Sequence, residues 1–162
     1  MEAHQDRALR LAARLLGDER AAEDVAQDAF LRAFRGLGRF RGDSSLATWF
    51  YRILLREAAR HRRWRALRRR FAAEVEGEVP DPRPGSAPDP ALRRRIHAAL
   101  DGLSRGQREA FVLVHLEGFT VVEAAVLTGR APGTLKAHLH RALARLRESL
   151  RDLRPAPKEE SR

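Results

Sequence analysis

The 162-residue sequence predicts an all-α protein with two small helical domains joined by a flexible proline-rich linker, the second carrying a helix-turn-helix. Three observations predict it. Apolar residues recur at helical spacing nearly everywhere, and no stretch alternates with the period of two that a strand needs. The periodicity stops in FAAEVEGEVPDPRPGSAPDP, which holds most of the chain's prolines and several acids. Beyond it, residues 120–150 read as a short capped helix, a glycine, a tight turn and a long amphipathic helix. The expected division is 1–70, a linker over 71–90, a second domain over 91–153 and a disordered tail over 154–162. Each domain is near the lower size limit for a self-sufficient core.

The elements follow in order. Leu9, Ala12 and Leu16 share one face of a first helix, which Gly17 closes as a left-handed cap. Asp18 or Glu19 opens a second helix. Its apolar stripe is Ala22, Val25, Ala26, Ala29, Phe30, Ala33, Phe34 and Leu37. After the glycine-rich connector GLGRFRGDSS, Ser44 or Ser45 caps a third helix. Its expected buried face is Leu46, Trp49, Phe50, Ile53 and Leu54. Asp89 and Pro90 restart helix with a cap and a first-turn proline. The next helix buries Leu92, Ile96, Ala99, Leu100 and Leu103. Ser104 with Gln107 and Thr120 with Glu123 are capping boxes. The last helix turns Leu135, Leu139, Ala142, Leu143, Leu146 and Leu150 to one side.

Lysine and arginine number 32 against 22 acids, a formal net charge of +10. That excess favours a polyanionic partner. Nearly all of it is arginine, with lysine only at Lys136 and Lys158. The absence of cysteine excludes disulfides, thiolate metal sites and cysteine nucleophiles. No apolar run approaches the ~18 residues of a membrane span, and the N-terminus lacks a signal-peptide pattern. A cytoplasmic protein without membrane insertion is expected. An enzyme has little support. The six histidines are scattered, His138 and His140 diverge on a helix, and no phosphate-cradling glycine loop appears. No cofactor is expected.

Two segments carry candidate chemistry. On the last helix, Lys136, Ala137, His140 and Arg141 face outward when the leucines face inward. Those groups suit a major groove, with Arg141 on a guanine edge or a phosphate and Lys136 on a phosphate. The helix N-terminus near Thr134 adds backbone donors. An ordinary hairpin with a solvated basic face gives the same pattern. On the third helix, Trp49, Phe50 and Tyr51 are adjacent, and neighbours in a helix point about 100° apart, so they cannot all be buried. Tyr51 is expected to face outward beside Arg52, Arg56, Arg60 and Arg63. Aromatic rings beside arginines suit the bases and phosphates of a single strand. On the second helix, Asp24, Gln27 and Asp28 surround an exposed Leu31. That is either a solvated acidic face or a docking surface.

The segment LLGDERAAEDVAQDAFLRAFRGLGRFRGDSSLATWFYRI resembles region 2 of bacterial RNA polymerase sigma factors of the extracytoplasmic-function group. LSRGQREAFVLVHLEGFTVVEAAVLTGRAPGTLKAHLHRALARLRESL resembles their region 4. The resemblance implies a factor that binds core RNA polymerase, directs it to promoters and assists melting. By it, Asp24, Gln27, Asp28, Leu31 and Arg32 would dock on the clamp helices of the largest subunit. Phe40, the loop from Arg41 to Ser45, Trp49, Tyr51, Arg52 and Arg56 would face the −10 element, with Arg60 and Arg63 continuing the basic stripe. Thr134, Lys136, Ala137, His140 and Arg141 would enter the −35 element. The polymerase flap and an anti-sigma factor are further implied partners, the latter holding the chain at the membrane. The linker would thread toward the polymerase active centre. Leu54-Leu55-Arg56, Val114 and Glu123-Ala124-Ala125 depart from the family's usual runs, and the N-terminus is short for the group. The alternatives are a stand-alone helix-turn-helix regulator and a protein that only sequesters polymerase or another regulator.

Overall fold

The computed structural model describes residues 2–72 and 90–153. Most of the expected linker, the Asp89 cap and the expected tail lie outside these residues. Seven α-helices are formed among them: α1 (Glu2–Leu16), α2 (Glu19–Gly36), α3 (Leu46–Ala72), α4 (Pro90–Asp101), α5 (Arg105–Phe111), α6 (Val121–Thr128) and α7 (Pro132–Ser149). Short 3-10 turns follow α2 and α7, and a π-helical turn, Val112–Leu116, extends α5. No strand occurs among the described residues.

Local signals set the helix ends. The Asp18 carboxylate accepts from the Ala21 backbone N–H at 3.1 Å, and Ser45 Oγ accepts from the Thr48 N–H at 3.1 Å. Both capping boxes form. Ser104 and Gln107 close the start of α5, and Thr120 and Glu123 close the start of α6. Each such cap contributes about 1 kcal/mol by satisfying amide groups that the helix leaves over. Gly129 ends α6 at φ 67°, where a side chain would be strained.

The first unit packs α1, α2 and α3 together, and the second packs α5, α6 and α7, with α4 against α7. The core differs from the periodicity in several places. In α1 it is Ala8, Leu11, Ala12, Leu15 and Leu16, whereas Leu9 is 37% exposed. In α2 the stripe is buried only through Ala29. Phe30 and Leu37 are exposed, and Phe34 is 80% exposed. In α3 the buried set is Phe50, Tyr51, Leu54, Leu55 and Ala58. Leu46 is exposed, and Trp49 and Ile53 are half-buried. Ile96 of α4 is also exposed, while Ala99, Leu100 and Leu103 are buried as expected.

The departure in α3 has a visible cause. One continuous apolar cluster runs from α1, α2 and α3 into Ala110, Val112, Leu113, Ala124, Ala125, Leu127 and Leu135 of the second unit. The second unit lies on the face of α3 that carries Tyr51, so the buried side of α3 is rotated from where α1 and α2 alone would put it. Leu46 and the end of α2 are left outside.

Candidate polymerase and nucleic-acid interfaces

On α2, Asp24, Gln27, Asp28, Leu31 and Arg32 are all exposed, together with Phe34 and, in the turn just past the helix, Leu37. An open groove of about 450 Å³ runs beside them, lined by Asp28, Leu31, Arg32, Arg35, Gly36 and Arg39. An apolar strip rimmed by charges of both signs is the composition of a docking surface. Phe34 and Leu37 belong to this strip. Sequence reasoning placed them in the core, because a helical stripe does not reveal where its cover ends.

Beneath the strip lies Glu57, 6% exposed, which the sequence reading missed. It pairs with Arg32 at 3.0 Å and with Arg60 at 2.5 Å, and Arg60 also reaches Asp28 at 3.2 Å. Arg60 is thereby drawn into a carboxylate network between α2 and α3. It does not stand free in a basic stripe. Arg56 and Arg63 are exposed.

At the start of α3, the half-buried Trp49 and Phe40 rings meet at 5.2 Å, tilted by 47°. A Cβ on Gly36 would come within 3.2 Å of the indole, so the absent side chain lets the ring lie against α2. Trp49 is thus a ledge with one side packed and one side open. Phe50 stacks on Phe30 at 4.5 Å.

Tyr51 is corrected by the structure: its ring is not outward but 4% exposed. Its neighbours are Phe50 and, from the second unit, Phe119, whose centroid lies 6.3 Å away edge-on. The hydroxyl is buried without a hydrogen-bond partner among the described residues. Leaving such a group unpaired costs about 1–3 kcal/mol. Burial, opposed by the nearby Arg7 charge, holds the phenol above its ordinary pKa. Arg52 is engaged across the same boundary, its Nε donating to the Val126 carbonyl at 3.1 Å.

Ion pairs complete this seam. Arg14 donates to the Glu117 carboxylate at 2.7 Å and to the Leu116 carbonyl, and Arg7 lies 3.8 Å from the same carboxylate. The Arg7 guanidinium sits 4.4 Å over the Phe119 ring. Deeper in, the fully buried Arg108 pairs with Asp101 at 2.6 Å and reaches the Arg14 carbonyl at 3.4 Å. Burial lowers the Arg108 pKa, and the Asp101 contact opposes that shift.

The helix-turn-helix is open to solvent. Thr134, Lys136, Ala137, His140 and Arg141 are all exposed on α7, while Leu135 and Ala142 are buried. Ala131 at the N-cap supplies no side-chain bond, so first-turn amides of this 18-residue helix are uncapped from that side. Its orientation is fixed from behind. Arg130 of the turn pairs with the buried Glu109 at 2.7 Å, which also holds Arg105 at 2.7 Å. His138 packs against Gly106 so closely that a Cβ there would lie 2.8 Å from the ring. No group of three metal-ligating side chains occurs among the described residues. No helix among them is long and apolar enough to cross a membrane.

Comparison with known proteins places this geometry. Residues 1–70 match Sigma-70 region 2, and residues 93–146 match Sigma-70, region 4. The chain is 32% identical to the RNA polymerase sigma-H factor of Pseudomonas aeruginosa, over 93% of this chain and 83% of that one. It is 38% identical to the RNA polymerase sigma-E factor of Streptomyces avermitilis, over 92% and 83% of the two chains. Among solved structures, the sigma factor RpoE of Bartonella quintana, determined in complex with the anti-sigma factor NepR, superposes with a TM-score of 0.72. That match has 30% identity and covers 94% of this chain and 95% of the other. CnrH, in complex with the cytosolic domain of CnrY, gives a TM-score of 0.64 at 27% identity, covering 94% and 86%. With two regions matched in order, and relatives that align along nearly the whole chain, the protein belongs to the sigma-70 family of bacterial RNA polymerase sigma factors, in its extracytoplasmic-function group.

Proposed function

We propose that the exposed α2 strip docks on the clamp helices of core RNA polymerase, that α3 receives the separated −10 strand, and that α7 enters the −35 major groove. Asp24, Gln27, Asp28, Leu31 and Arg32 supply the polymerase contact, joined by Phe34 and Leu37. The Trp49–Phe40 ledge offers stacking surface to an unpaired base, worth about 1–3 kcal/mol per base. Arg52, Arg56 and Arg63 neutralise its phosphates, and Tyr51 joins them once the seam opens. Arg60, held by Glu57 and Asp28, serves more to position α3 than to grip a phosphate. On α7, Arg141 reads a base edge or phosphate, Lys136 a phosphate, and the helix N-terminus near Thr134 another. The role is non-enzymatic and needs no cofactor.

The observation that carries this reading is one chain presenting an apolar strip rimmed with charges of both signs, an aromatic–arginine helix and an open helix-turn-helix. A stand-alone regulator has no use for the first two. A sequestering protein has none for the last two. The RpoE structure was determined with an anti-sigma factor, which supports an anti-sigma protein as a partner of this chain as well.

The experiment is transcription with purified core polymerase on a fragmented genomic library, with start sites mapped. Starts sharing two spaced elements support the reading. A chain that binds core but yields no starts is a sequestering protein. One that shifts duplex promoter DNA equally without core is a free regulator.

A further inference from the structure

A basic cleft lies where α1, α3 and α4 meet. We infer that it is a binding site for a diphosphate-class oxyanion, held by Arg62, Arg65 and Arg69. The cavity measures about 120 Å³, and its lining includes those three arginines with His61, Leu16 and Asp101. None of these residues is among those proposed for polymerase, the −10 strand or the −35 element.

The sequence builds the cationic wall. Arg62, Arg65 and Arg69 are spaced by three and then four residues, so they share one face of α3. From first to last they span about 10 Å along the helix axis. A guanidinium meets a phosphoryl group with two parallel N–H donors, a match that a lysine ammonium does not make. A single tetrahedral anion engages two neighbouring guanidiniums, whereas two linked phosphoryl groups engage the row.

What points to a ligand is a shortage of anions around these cations. Arg62 is half-buried, yet it makes no hydrogen bond or ion pair among the described residues. Burial and the nearby Arg108 cation lower its pKa, and Asp101 and Glu109 offset that only in part. Arg69 is exposed and likewise unpaired among these residues, and Arg65 has a contact with Asp18 at 3.7 Å. The carboxylate on the lining, Asp101, is already engaged by the fully buried Arg108 at 2.6 Å. His61 has a buried Nδ1 without a partner, and the Arg108 Nε is also unpartnered. A half-buried cation without a counter-charge is costly, and an anion in the cleft removes that cost. Leu16 of α1 and Asp101 of α4 bound the cleft, which favours a compact anion over a nucleic-acid backbone.

Isothermal titration calorimetry of the full chain tests this with inorganic pyrophosphate, ADP, inorganic phosphate and sulfate at matched ionic strength. Pyrophosphate should bind with a single-site isotherm, about tenfold tighter than phosphate or sulfate. ADP binding as tightly assigns the site to the diphosphate of a nucleotide, and ADP binding much more weakly assigns it to the free anion; either result upholds the site. Arg62→Gln should weaken pyrophosphate about tenfold. Arg69→Gln, at an exposed side chain, takes its place if the first variant loses helix content. Arg68→Gln, whose side chain lies over Trp64, should bind as the parent does. Absence of saturable binding overturns the site. Equal losses in the Arg62 and Arg68 variants overturn it too, because they report diffuse attraction to a chain of net charge +10. A single-stranded oligonucleotide that loses affinity with Arg62→Gln, while pyrophosphate does not bind the parent, overturns it in favour of a nucleic-acid contact.

Discussion

Two helices carry the positive charge that DNA would meet, and they sit in opposite circumstances. α7 packs through Leu135 and Ala142 onto helices close to it in sequence, and every residue proposed for the −35 element is exposed. α3 is packed on two sides. Its Arg52 bonds to a carbonyl 74 residues away, and its Tyr51 is sealed beneath Phe119. Under the proposed roles the two surfaces differ: the α7 face is open as it stands, whereas Tyr51 and Arg52 of α3 are engaged by the second unit.

The largest expected effect probes the face that neither helix supplies. Asp24→Arg with Asp28→Arg reverses two charges on the docking strip of α2. It should weaken core polymerase affinity by about a hundredfold, within the 2–5 kcal/mol range seen for disrupted interface charge pairs. Fluorescence anisotropy with labelled chain and core enzyme measures it. Free duplex binding through α7 should be unchanged.

Arg141→Ala comes next. It should lower initiation that depends on the upstream element about tenfold, within the 1–3 kcal/mol expected of a base-reading contact, and leave core affinity alone. A loss of core affinity instead would erase the contrast between the faces.

The smallest effect concerns the box that starts α6. The Glu123 carboxylate accepts from the Thr120 backbone N–H and hydroxyl, both at 2.8 Å, and these bonds hold its pKa below the usual carboxylate range. Its stabilising contribution is therefore complete above the unfolded-state value and fades as pH falls through the lower folded one. Glu123→Gln should lower the melting temperature slightly at neutral pH, and the difference from the parent should vanish in acid. A difference that persists at low pH contradicts the cap's ionic character.

The same contrast explains what was legible in the sequence. Ser104 with Gln107, Thr120 with Glu123, Gly129 and the outward face of α7 were readable because their determinants lie within a few residues. The exposure of Phe34 and Leu37 and the burial of Tyr51 were not. Periodicity identifies an apolar stripe, but what covers each part of it is decided by distant chain. The contact that directs Tyr51 inward includes Arg7 and the backbone carbonyl of Glu117, 110 residues apart. Glu57 was passed over for a related reason. Among so many arginines it reads as one more surface charge, yet it is the buried anchor of Arg32 and Arg60.

The chain holds a single tyrosine, at the centre of the seam, and it reports that packing without any label. Burial keeps the neutral phenol favoured, with Arg7 and Arg10 lowering the shift and Glu117 adding to it. The packed seam is thus fully supported below the ordinary tyrosine pKa of about 10 and loses that support as pH rises beyond it. Ultraviolet titration of tyrosinate in the free chain should show ionisation delayed above the ordinary value, and Glu117→Arg should return it to normal. Ordinary ionisation in the unmodified chain, or an identical delay in both proteins, would contradict a second unit that covers α3.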